Sequence, residues 1–539
     1  MNKLKIVSMF VLILIASISC KEQVSQTTGW NYNDSDNGGY EVVDYVEQET
    51  GPGLVLVEGG SFSMGRNEQD VMYDWNNVPR RITVSSFYMD QTEVRNVDYR
   101  EYLYWLTRVF TDFPEVYYKA LPDTLVWREK LAYNEPMVEL YLRHPSYANY
   151  PVVGVNWLQC NDYCAWRTDR VNEWILVEKQ GLLLWNPNQN GEDNFNTDAY
   201  LSGQYDGMVN QKNQGMLEDY DPNKDRRKVK MEDGIFLPRY RLPTEAEWEF
   251  AALAYIGEMK AQERIFERRL YPWGGHYVRN DQSSYQGQFM ANSMRGRGDN
   301  MGVAGALNDK ADITAPVDAY WPNDYGLYCM AGNVNEWVMD VFRPMTSEDQ
   351  NEFRPFRGNV YVTQVRDSVT GEIAPKDSLG RILWRKATED ESYDRRNYNT
   401  ADNINYLDGD WESSVVGQGM PAVEWKAEST EKEKGSTNMY FYGDNYKKDK
   451  DNNFYGTNYY SPDNSNWERE KEKKYSQRGG GMTSMVNDHS RVYKGGSWKD
   501  RIYYLTPGSR RFLDQRQRQA DLGFRCAMVR VGSPMGNAK

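Results

Sequence analysis

The chain has 539 residues, of which 40% are hydrophobic and 14% aromatic, including 40 tyrosines and 17 tryptophans. This composition can form a sizeable folded core, which excludes a fibrous or wholly disordered protein. The formal net charge of −14 at pH 7 argues against a nucleic-acid partner or an anionic lipid surface, because both attract concentrated positive charge.

The chain begins with the pattern of an export signal. Lys3 and Lys5 precede an apolar run from Ile6 to Ile18. A helix needs about 20 residues to cross a bilayer, so this run is too short to span one and has the length of a signal-peptide core. The pattern predicts a signal peptide over residues 1–19.

The apolar run ends at Ser19 and Cys20. A small residue directly before a cysteine resembles a bacterial lipobox, in which the cysteine is acylated and becomes the new N-terminus. Two or three acyl chains anchor durably, since each buried methylene contributes about 0.8 kcal/mol. We expect lipidation of Cys20 and a polar tether over residues 20–50, with a plainly secreted protein as the alternative.

The next segments alternate between strand and helix patterns. Leu54 to Phe62 and Ile82 to Met89 have the composition of strands, and Gly59 and Gly60 form a turn between apolar stretches. From Asn96 to Phe110 the apolar residues repeat with helical spacing, which predicts a helix there.

Two further helices are predicted from their capping residues. Asn156 precedes a segment in which Cys160 and Cys164 share one helical face. Thr244 and Glu247 have the spacing of a capping box, in which each side chain accepts a hydrogen bond from a free backbone N–H. We therefore interpret these glutamates as structural rather than catalytic.

Two long insertions interrupt a domain that we place at residues 51–532, before a flexible tail at 533–539. The insertions run from about 168 to 236 and from about 343 to 487, and both are rich in Asn, Asp, Gly, Tyr and Lys. Loops of this length are usually functional or disordered. One interpretation is that the insertions are solvent-exposed loops without a binding role. The other is that they bind proteins through their tyrosines, which provide contact area at small entropic cost.

Several ordered sequence blocks carry a family resemblance. The blocks are GLVLVEGGSFSMG (53–65), ITVSSFYMDQTEVRN (82–96), PVVGVNWLQCNDYCAW (151–166), RLPTEAEWEFAA (241–252), YPWG (271–274), GNVNEW (332–337), YKGGSWKDR (493–501) and LGFRCA (522–527). In this order they resemble the formylglycine-generating enzyme, or sulfatase-modifying factor, family. The resemblance implies an α+β, C-type-lectin-like fold.

The residues that carry the family's chemistry differ in this chain. Family enzymes bind copper between two redox-active cysteines, three and eight residues after the serine of GGS, where this chain has Asp500 and Leu505. A carboxylate is a poor ligand for Cu(I), and leucine offers none. Iron-dependent relatives need clustered histidines, but this chain has only His144, His276 and His489, far apart in sequence. We expect a pseudoenzyme with neither copper nor iron.

The resemblance also implies a disulfide and calcium. The family's conserved bridge corresponds to Cys164 and Cys526, while Cys160 and Cys329 are interpreted as buried thiols, with a metal pair as the alternative. Calcium is the one cofactor expected, because oxygen ligands in an irregular loop suit this cation. The first calcium site corresponds to Asn292, Ser293, Asp309 and Ala311, with an ordinary hydrogen-bonded loop as the alternative. The second corresponds to Gly332, Val334 and Glu336, where Cys329 replaces an oxygen ligand.

Within the family, the chain resembles the gliding-motility lipoproteins of Bacteroidetes. The shared features are the lipobox, the TGW segment at 28–30, the VMYDWNN segment at 71–77 and the two insertions. This resemblance implies an outer-membrane lipoprotein, with the periplasmic face favoured, that assembles or stabilises the gliding and type IX secretion machinery through contacts with its other proteins.

Two alternatives keep a chemical or binding role for the same fold. One is an enzyme that uses a different site, around Asp500, Arg501, Arg510 and Arg511, although charged residues at such positions more commonly form a salt-bridged core. The other is a lectin-like module that binds glycans.

Overall fold

The computed structural model describes residues 23–66, 77–129, 133–210, 215–224, 226–255, 269–294, 311, 313–343, 345, 356–358, 362–367, 370–386 and 489–532. The predicted signal peptide, Cys20, Asp309 and most of the second insertion lie outside these residues.

The described helices and strands are named here in chain order. The helices are α1 (Asn96–Val109), α2 (Pro114–Ala120), α3 (Glu135–Leu140), α4 (Trp157–Trp174), α5 (Thr197–Leu201) and α6 (Glu245–Leu253). The strands are β1 (Leu54–Val57), β2 (Gly60–Met64), β3 (Arg80–Val84), β4 (Phe87–Asp90), β5 (Leu217–Glu218), β6 (Arg226–Arg227), β7 (Tyr240–Arg241), β8 (Asn335–Val341), β9 (Val362–Gln364), β10 (Trp384–Lys386), β11 (Ser490–Lys494), β12 (Arg511–Asp514), β13 (Leu522–Gly523) and β14 (Ala527–Val529).

Local sequence signals locate the predicted elements correctly. The predicted helix at 96–110 is α1, and the Gly59–Gly60 turn separates β1 from β2. The side chain of Asn156 accepts a hydrogen bond of 2.9 Å from the backbone of Gln159 at the start of α4. Thr244 and Glu247 form the reciprocal capping box of α6. The separate helices and mainly antiparallel strands confirm the α+β class.

Two four-stranded sheets organise the larger part of the chain. The first has the order β1-β4-β14-β7, with every neighbouring pair antiparallel. The second has the order β12-β11-β8-β13, in which β13 runs parallel to β8. The GNVNEW motif enters β8, and the loop between β11 and β12 carries both replaced cysteine positions. The second sheet therefore positions the candidate site.

Helix α6 packs against β2, β3 and β8 at the centre of the main core. Trp248 and Phe250 from this helix, Phe62 from β2 and Val338 from β8 belong to one buried apolar cluster. Phe62 and Phe250 meet edge to face, with ring centroids 5.3 Å apart. Burial of such rings is a large favourable contribution to folding, because aromatic side chains remove much apolar area from water.

The chain divides into two compact units. The larger comprises Glu49–Glu173, Pro187–Tyr205 and Leu237–Lys539, and the smaller comprises Met1–Gln48, Trp174–Asn186 and Asp206–Phe236. The predicted insertion boundary at 168 therefore falls inside α4, and residues 187–205 belong with the larger unit. Among the described residues, no helix has the length and apolar character needed to cross a membrane.

Residues 23–48, which lie within the expected tether, form part of the smaller unit. The amide of Gln23 donates to Asp44 at 2.8 Å, and the backbone N–H of Asn33 donates to the carbonyl of Tyr40 at 2.9 Å. Arg227, which is buried, pairs with Glu41 and with Asp233, each at 2.6 Å. The composition of this segment is that of a polar tether. Its contact with Arg227 could not be expected from local sequence, because Glu41 and Arg227 are 186 residues apart.

Candidate functional site

Asn333, in the GNVNEW loop, connects this loop to two other segments at the centre of the candidate site. Its side-chain amide donates to Glu93 at 2.6 Å, and its side-chain oxygen accepts from the backbone of Ala315 at 2.8 Å. Gly332 precedes it with a φ of +76°, and a Cβ at this position would lie 2.4 Å from the carbonyl oxygen of Asn292. Only glycine fits so close an approach in this backbone conformation.

The first replaced cysteine position is occupied by an ion pair. Arg511 on β12 donates to both carboxylate oxygens of Asp500, at 2.6 Å each. The hydroxyl and backbone N–H of Ser497 donate to Asp500 at 2.7 and 2.9 Å, and the amide of Asn335 donates to it at 3.1 Å. Burial alone would raise the pKa of Asp500, but the hydrogen bonds and charge of Arg511 outweigh it and hold that pKa below its ordinary value.

A second carboxylate shares these partners. Asp521 lies 2.9 Å from the hydroxyl of Ser497, whose one hydrogen is shared between the two carboxylates, and accepts from the amide of Asn335 at 3.2 Å. Burial raises the pKa of Asp521, and the nearby negative charge of Asp500 acts in the same direction. The guanidinium of Arg511, which pairs with Asp500, also lies over two aromatic rings. Its central carbon is 4.8 Å from the ring centroid of Tyr493 and 4.5 Å from that of Tyr504.

The second replaced cysteine position is apolar. Leu505 is completely buried and packs in a cluster with Tyr271, Ala291 and Ala331. A leucine in such surroundings offers no nucleophile, proton donor or metal ligand.

The four charged residues proposed as an alternative catalytic group do not form one cluster. Asp500 and Arg511 pair with each other, while Arg510 donates to Glu245 at 2.5 and 2.9 Å and to the carbonyl of Arg343 at 2.8 Å. Arg501 is exposed. The arrangement is that of two separate ion pairs, which agrees with the interpretation as a salt-bridged core.

Sequence reasoning missed a buried charge cluster between α6 and β11. The ammonium of Lys494 lies 2.6 Å from Glu249 and 3.4 Å from Glu245, and all three side chains are buried. Asp340 accepts from the backbone N–H of Glu245 at 2.8 Å. Burial and the charge of Glu245 raise the pKa of Asp340 to about 7. The sequence feature that could have indicated this cluster is the repeated glutamate of EAEWE, residues 245–249.

A second missed feature is the buried pair of Glu336 and Arg525. Arg525 donates to the two carboxylate oxygens of Glu336 at 2.6 and 2.7 Å, and the indole of Trp248 donates at 2.7 Å. Glu93 is buried near this pair. Burial, and then the charge of Glu336, raise the pKa of Glu93 well above its ordinary value.

Comparison with known sequences identifies the family. Residues 40–378, more than half of the chain, match the profile of the sulfatase-modifying factor enzyme 1-like domain. The chain belongs to this family.

Known members of the family include both active and inactive proteins. The chain is 27% identical over 290 residues to the formylglycine-generating enzyme of Mus musculus, covering 53% of this chain and 58% of the mouse enzyme. It is 25% identical over 317 residues to the inactive C-alpha-formylglycine-generating enzyme 2 of Mus musculus, covering 54% of this chain and 70% of that protein. Membership therefore does not decide between activity and inactivity.

Solved structures give a more distant likeness. PvdO from Pseudomonas aeruginosa aligns at 14% identity with a TM-score of 0.36, covering 88% of this chain and 94% of the other. The Treponema denticola variable protein 1 aligns at 15% identity with a TM-score of 0.34 and the same two coverages.

Three of the four residues of the family's first calcium site are among the described residues. The side-chain nitrogen of Asn292 donates to the carbonyl of Ile313 at 2.7 Å, so its side-chain oxygen is the atom that could face a cation. The hydroxyl oxygen of Ser293 is buried and has no hydrogen-bond partner among the described residues. Ala311 is buried as well, whereas Asp309 lies outside the described residues. Calcium at this site stays a prediction.

At the family's second calcium site, the carboxylate and the thiol make other contacts. Both oxygens of Glu336 already accept from Arg525, whose positive charge neutralises the carboxylate. Cys329 donates its thiol to the carbonyl of Val317 at 3.3 Å, and burial raises the pKa of this thiol well above its ordinary value. The backbone N–H of Val334 donates to Glu93 at 3.3 Å, and Gly332 has the positive φ and close backbone approach given above. The second calcium site stays a prediction.

The two cysteines of the predicted disulfide lie together. The Sγ atoms of Cys164 on α4 and Cys526 before β14 are 3.5 Å apart and buried, and the structure has both as thiols. Cys160 is also a buried thiol on α4. The geometry allows the Cys164–Cys526 bond to form with a small movement, and the bond itself stays a prediction.

Proposed function

We propose that this protein is a non-catalytic, lipid-anchored member of the family that assembles or stabilises a membrane-associated machinery through protein contacts. Its fold is that of the formylglycine-generating enzymes, but its role is to present surfaces to other proteins. The main support is that Asp500 and Leu505 stand at the two positions where the family's enzymes have their redox-active cysteines.

Chemistry at these two positions supports a non-catalytic role. Cysteine oxidation in the family needs a thiolate pair that binds copper, and neither a carboxylate nor an alkyl side chain can replace it. Asp500 is also held by Arg511, Ser497 and Asn335, so its oxygens are committed to a structural network. The existence of an inactive relative in mouse is compatible with the same loss of activity here.

The proposed setting is gliding motility and type IX secretion, at the outer membrane. It follows from the lipobox at Cys20, from the segments at 28–30 and 71–77 and from the long insertions. These features resemble GldJ more than its sister GldK. Other proteins of the motility and secretion machinery are the proposed partners, and the acylated Cys20 is the proposed attachment to the membrane.

An activity assay tests the non-catalytic role. The purified full chain is incubated with a cysteine-containing sulfatase peptide, copper and oxygen, and formylglycine is measured by mass spectrometry. We expect no conversion above the protein-free control, while an active formylglycine-generating enzyme run in parallel converts the peptide. Conversion by this chain would overturn the proposal.

A complementation assay separates a structural role from a different catalytic one. Asp500→Ala removes the charged group of the alternative site, and Asp206→Ala removes an exposed aspartate as the matched control. If the account is correct, the folded Asp500→Ala protein supports motility and secretion as well as the control does. Loss of function with the fold and abundance retained would favour a catalytic or ligand-binding site at this position.

A further inference from the structure

Apolar side chains are concentrated on the surface of the segment that follows the predicted lipid anchor. Between residues 24 and 46, six large apolar side chains are exposed: Val24, Trp30, Tyr40, Val43, Tyr45 and Val46. Trp30 is 60% exposed, Tyr40 69% and Val46 79%. We call these six side chains the N-terminal aromatic surface. Contiguous exposed apolar groups usually mark an interaction site, and this short segment contributes six such side chains.

Backbone and side-chain hydrogen bonds fold this segment back on itself. Gln23 accepts from the backbone N–H of Tyr32 and donates its side chain to Asp44, at 2.8 Å in each case. The N–H of Asn33 donates to the carbonyl of Tyr40, and its side chain bonds both polar backbone atoms of Val42. The two ends of the segment are therefore neighbours, so Val24 lies near the residues that flank Asp44.

The charges of the segment indicate what kind of surface it can meet. Between residues 22 and 48 there is no lysine or arginine, and the acids are Glu22, Asp34, Asp36, Glu41, Asp44 and Glu47. Glu41 is paired with Arg227, and Asp44 accepts from Gln23. An acidic segment without basic residues does not attract anionic lipid. Exposed tryptophan and tyrosine, however, favour the boundary between headgroups and hydrocarbon of a neutral bilayer, where an apolar ring and a polar atom are both accommodated.

We propose that the N-terminal aromatic surface rests in the interfacial region of the lipid bilayer that holds the acylated Cys20. This inference rests on the proposed lipid anchor and adds a second, non-covalent contact with the membrane. Val24 is four residues after Cys20, and a fully extended chain spans at most about 3.6 Å per residue, or about 14 Å here. The anchor therefore keeps the start of this surface close to the headgroups, so its contact with lipid costs little additional entropy.

Site-specific photocrosslinking in the full acylated chain tests the contact. A benzophenone amino acid is placed at position 30, 40 or 46, or at the control positions 104 or 118, where Tyr104 and Tyr118 are exposed on the larger unit. The protein is reconstituted into vesicles of phosphatidylethanolamine and phosphatidylcholine, and it is also irradiated in its native membrane. Lipid and protein adducts are distinguished by mass spectrometry, which also reports the acyl chains on Cys20.

We expect lipid adducts at positions 30, 40 and 46 to exceed those at 104 and 118 by at least about tenfold, because interfacial side chains remain in contact with lipid. Acylated protein without this excess in vesicles would overturn the inference and leave the anchor intact. Protein adducts replacing lipid adducts in the native membrane would overturn it in favour of a docking site for a partner. Absence of acyl chains on Cys20 would overturn the anchor and, with it, this inference.

Discussion

Arg511 donates hydrogen bonds to Asp500 from both terminal guanidinium nitrogens, each 2.6 Å from a different carboxylate oxygen. Asp500 occupies the first position at which the family's enzymes have a redox cysteine. The carboxylate at this position is fixed in a bidentate ion pair, which combines charge with geometric specificity.

Removing this carboxylate is expected to destabilise the fold. In Asp500→Ala, Arg511 keeps its partly buried charge but loses its main partner, so the free energy of unfolding should fall by about 1–3 kcal/mol. Denaturant unfolding of the variant and of the wild type measures the difference. The exposed Asp206→Ala control should not change stability. Equal stability of Asp500→Ala and wild type would contradict a structural role for the pair.

Asp340 is expected to make stability depend on pH near neutrality. Its pKa is raised from 3.8 to about 7 by burial and by Glu245. An acid with a higher pKa in the folded chain contributes stability fully below its unfolded pKa and loses it as pH rises through the folded pKa. Asp340 should therefore lower the free energy of unfolding between about pH 4 and pH 7, by at most about 1.4 kcal/mol per pH unit.

Asp340→Asn tests this assignment, because asparagine has no proton to lose. Unfolding curves measured from pH 4.5 to pH 8 should show a smaller decrease for the variant than for the wild type. Asp206→Asn, at an exposed position, should keep the wild-type slope. Parallel pH dependences of Asp340→Asn and wild type would refute a neutral-range titration of Asp340.

Arg525→Ala is expected to be the most damaging of these substitutions. It leaves Glu336 buried without its cation and next to Glu93, at a cost of about 3–5 kcal/mol. The double variant Arg525→Ala/Glu336→Gln removes the uncompensated charge and should recover part of this loss. Thermal unfolding of both variants gives the comparison. A double variant less stable than the single one would show that Glu336 is not stabilised mainly by Arg525.

The local elements could be predicted from sequence because their signals lie within a few residues. Asn156 caps α4 and Thr244 pairs with Glu247 as their spacings indicate. The ion pair of Glu336 and Arg525 joins residues 189 apart, and no local periodicity encodes such a pairing. The ion pair of Glu41 and Arg227 joins residues 186 apart, and no local sequence pattern encodes it either.

A disulfide is expected between Cys164 and Cys526 in protein exported to an oxidising compartment. Their Sγ atoms are already 3.5 Å apart. Thiol counting under denaturing, non-reducing conditions should then find two free thiols, those of Cys160 and Cys329. Cys329→Ser should leave one, and Cys164→Ser should leave three, because Cys526 loses its partner. Four free thiols in the wild-type protein would rule out the bridge.

Calcium is expected to stabilise the fold through the first family site. A ligand at a hundred times its dissociation constant adds about 2.7 kcal/mol to the free energy of unfolding. The melting temperature should therefore rise with calcium after treatment with a chelator, and magnesium should have a smaller effect because it prefers a tighter octahedral set of ligands. Asp309→Ala should abolish the rise. An equal rise in the variant, or none in the wild type, would speak against the site.

Crosslinking mass spectrometry on the tagged protein in its native membrane fraction tests the proposed assembly role most directly. We expect reproducible crosslinks from residues 168–236 and 343–487 to gliding-motility or type IX secretion proteins. Lys224, within the first of these ranges, has an exposed side chain whose amine can react with the reagent, and the second range also contains lysines. Crosslinks confined to the protein itself and to lipid, with the partner proteins present in the same membrane, would contradict a role in assembly.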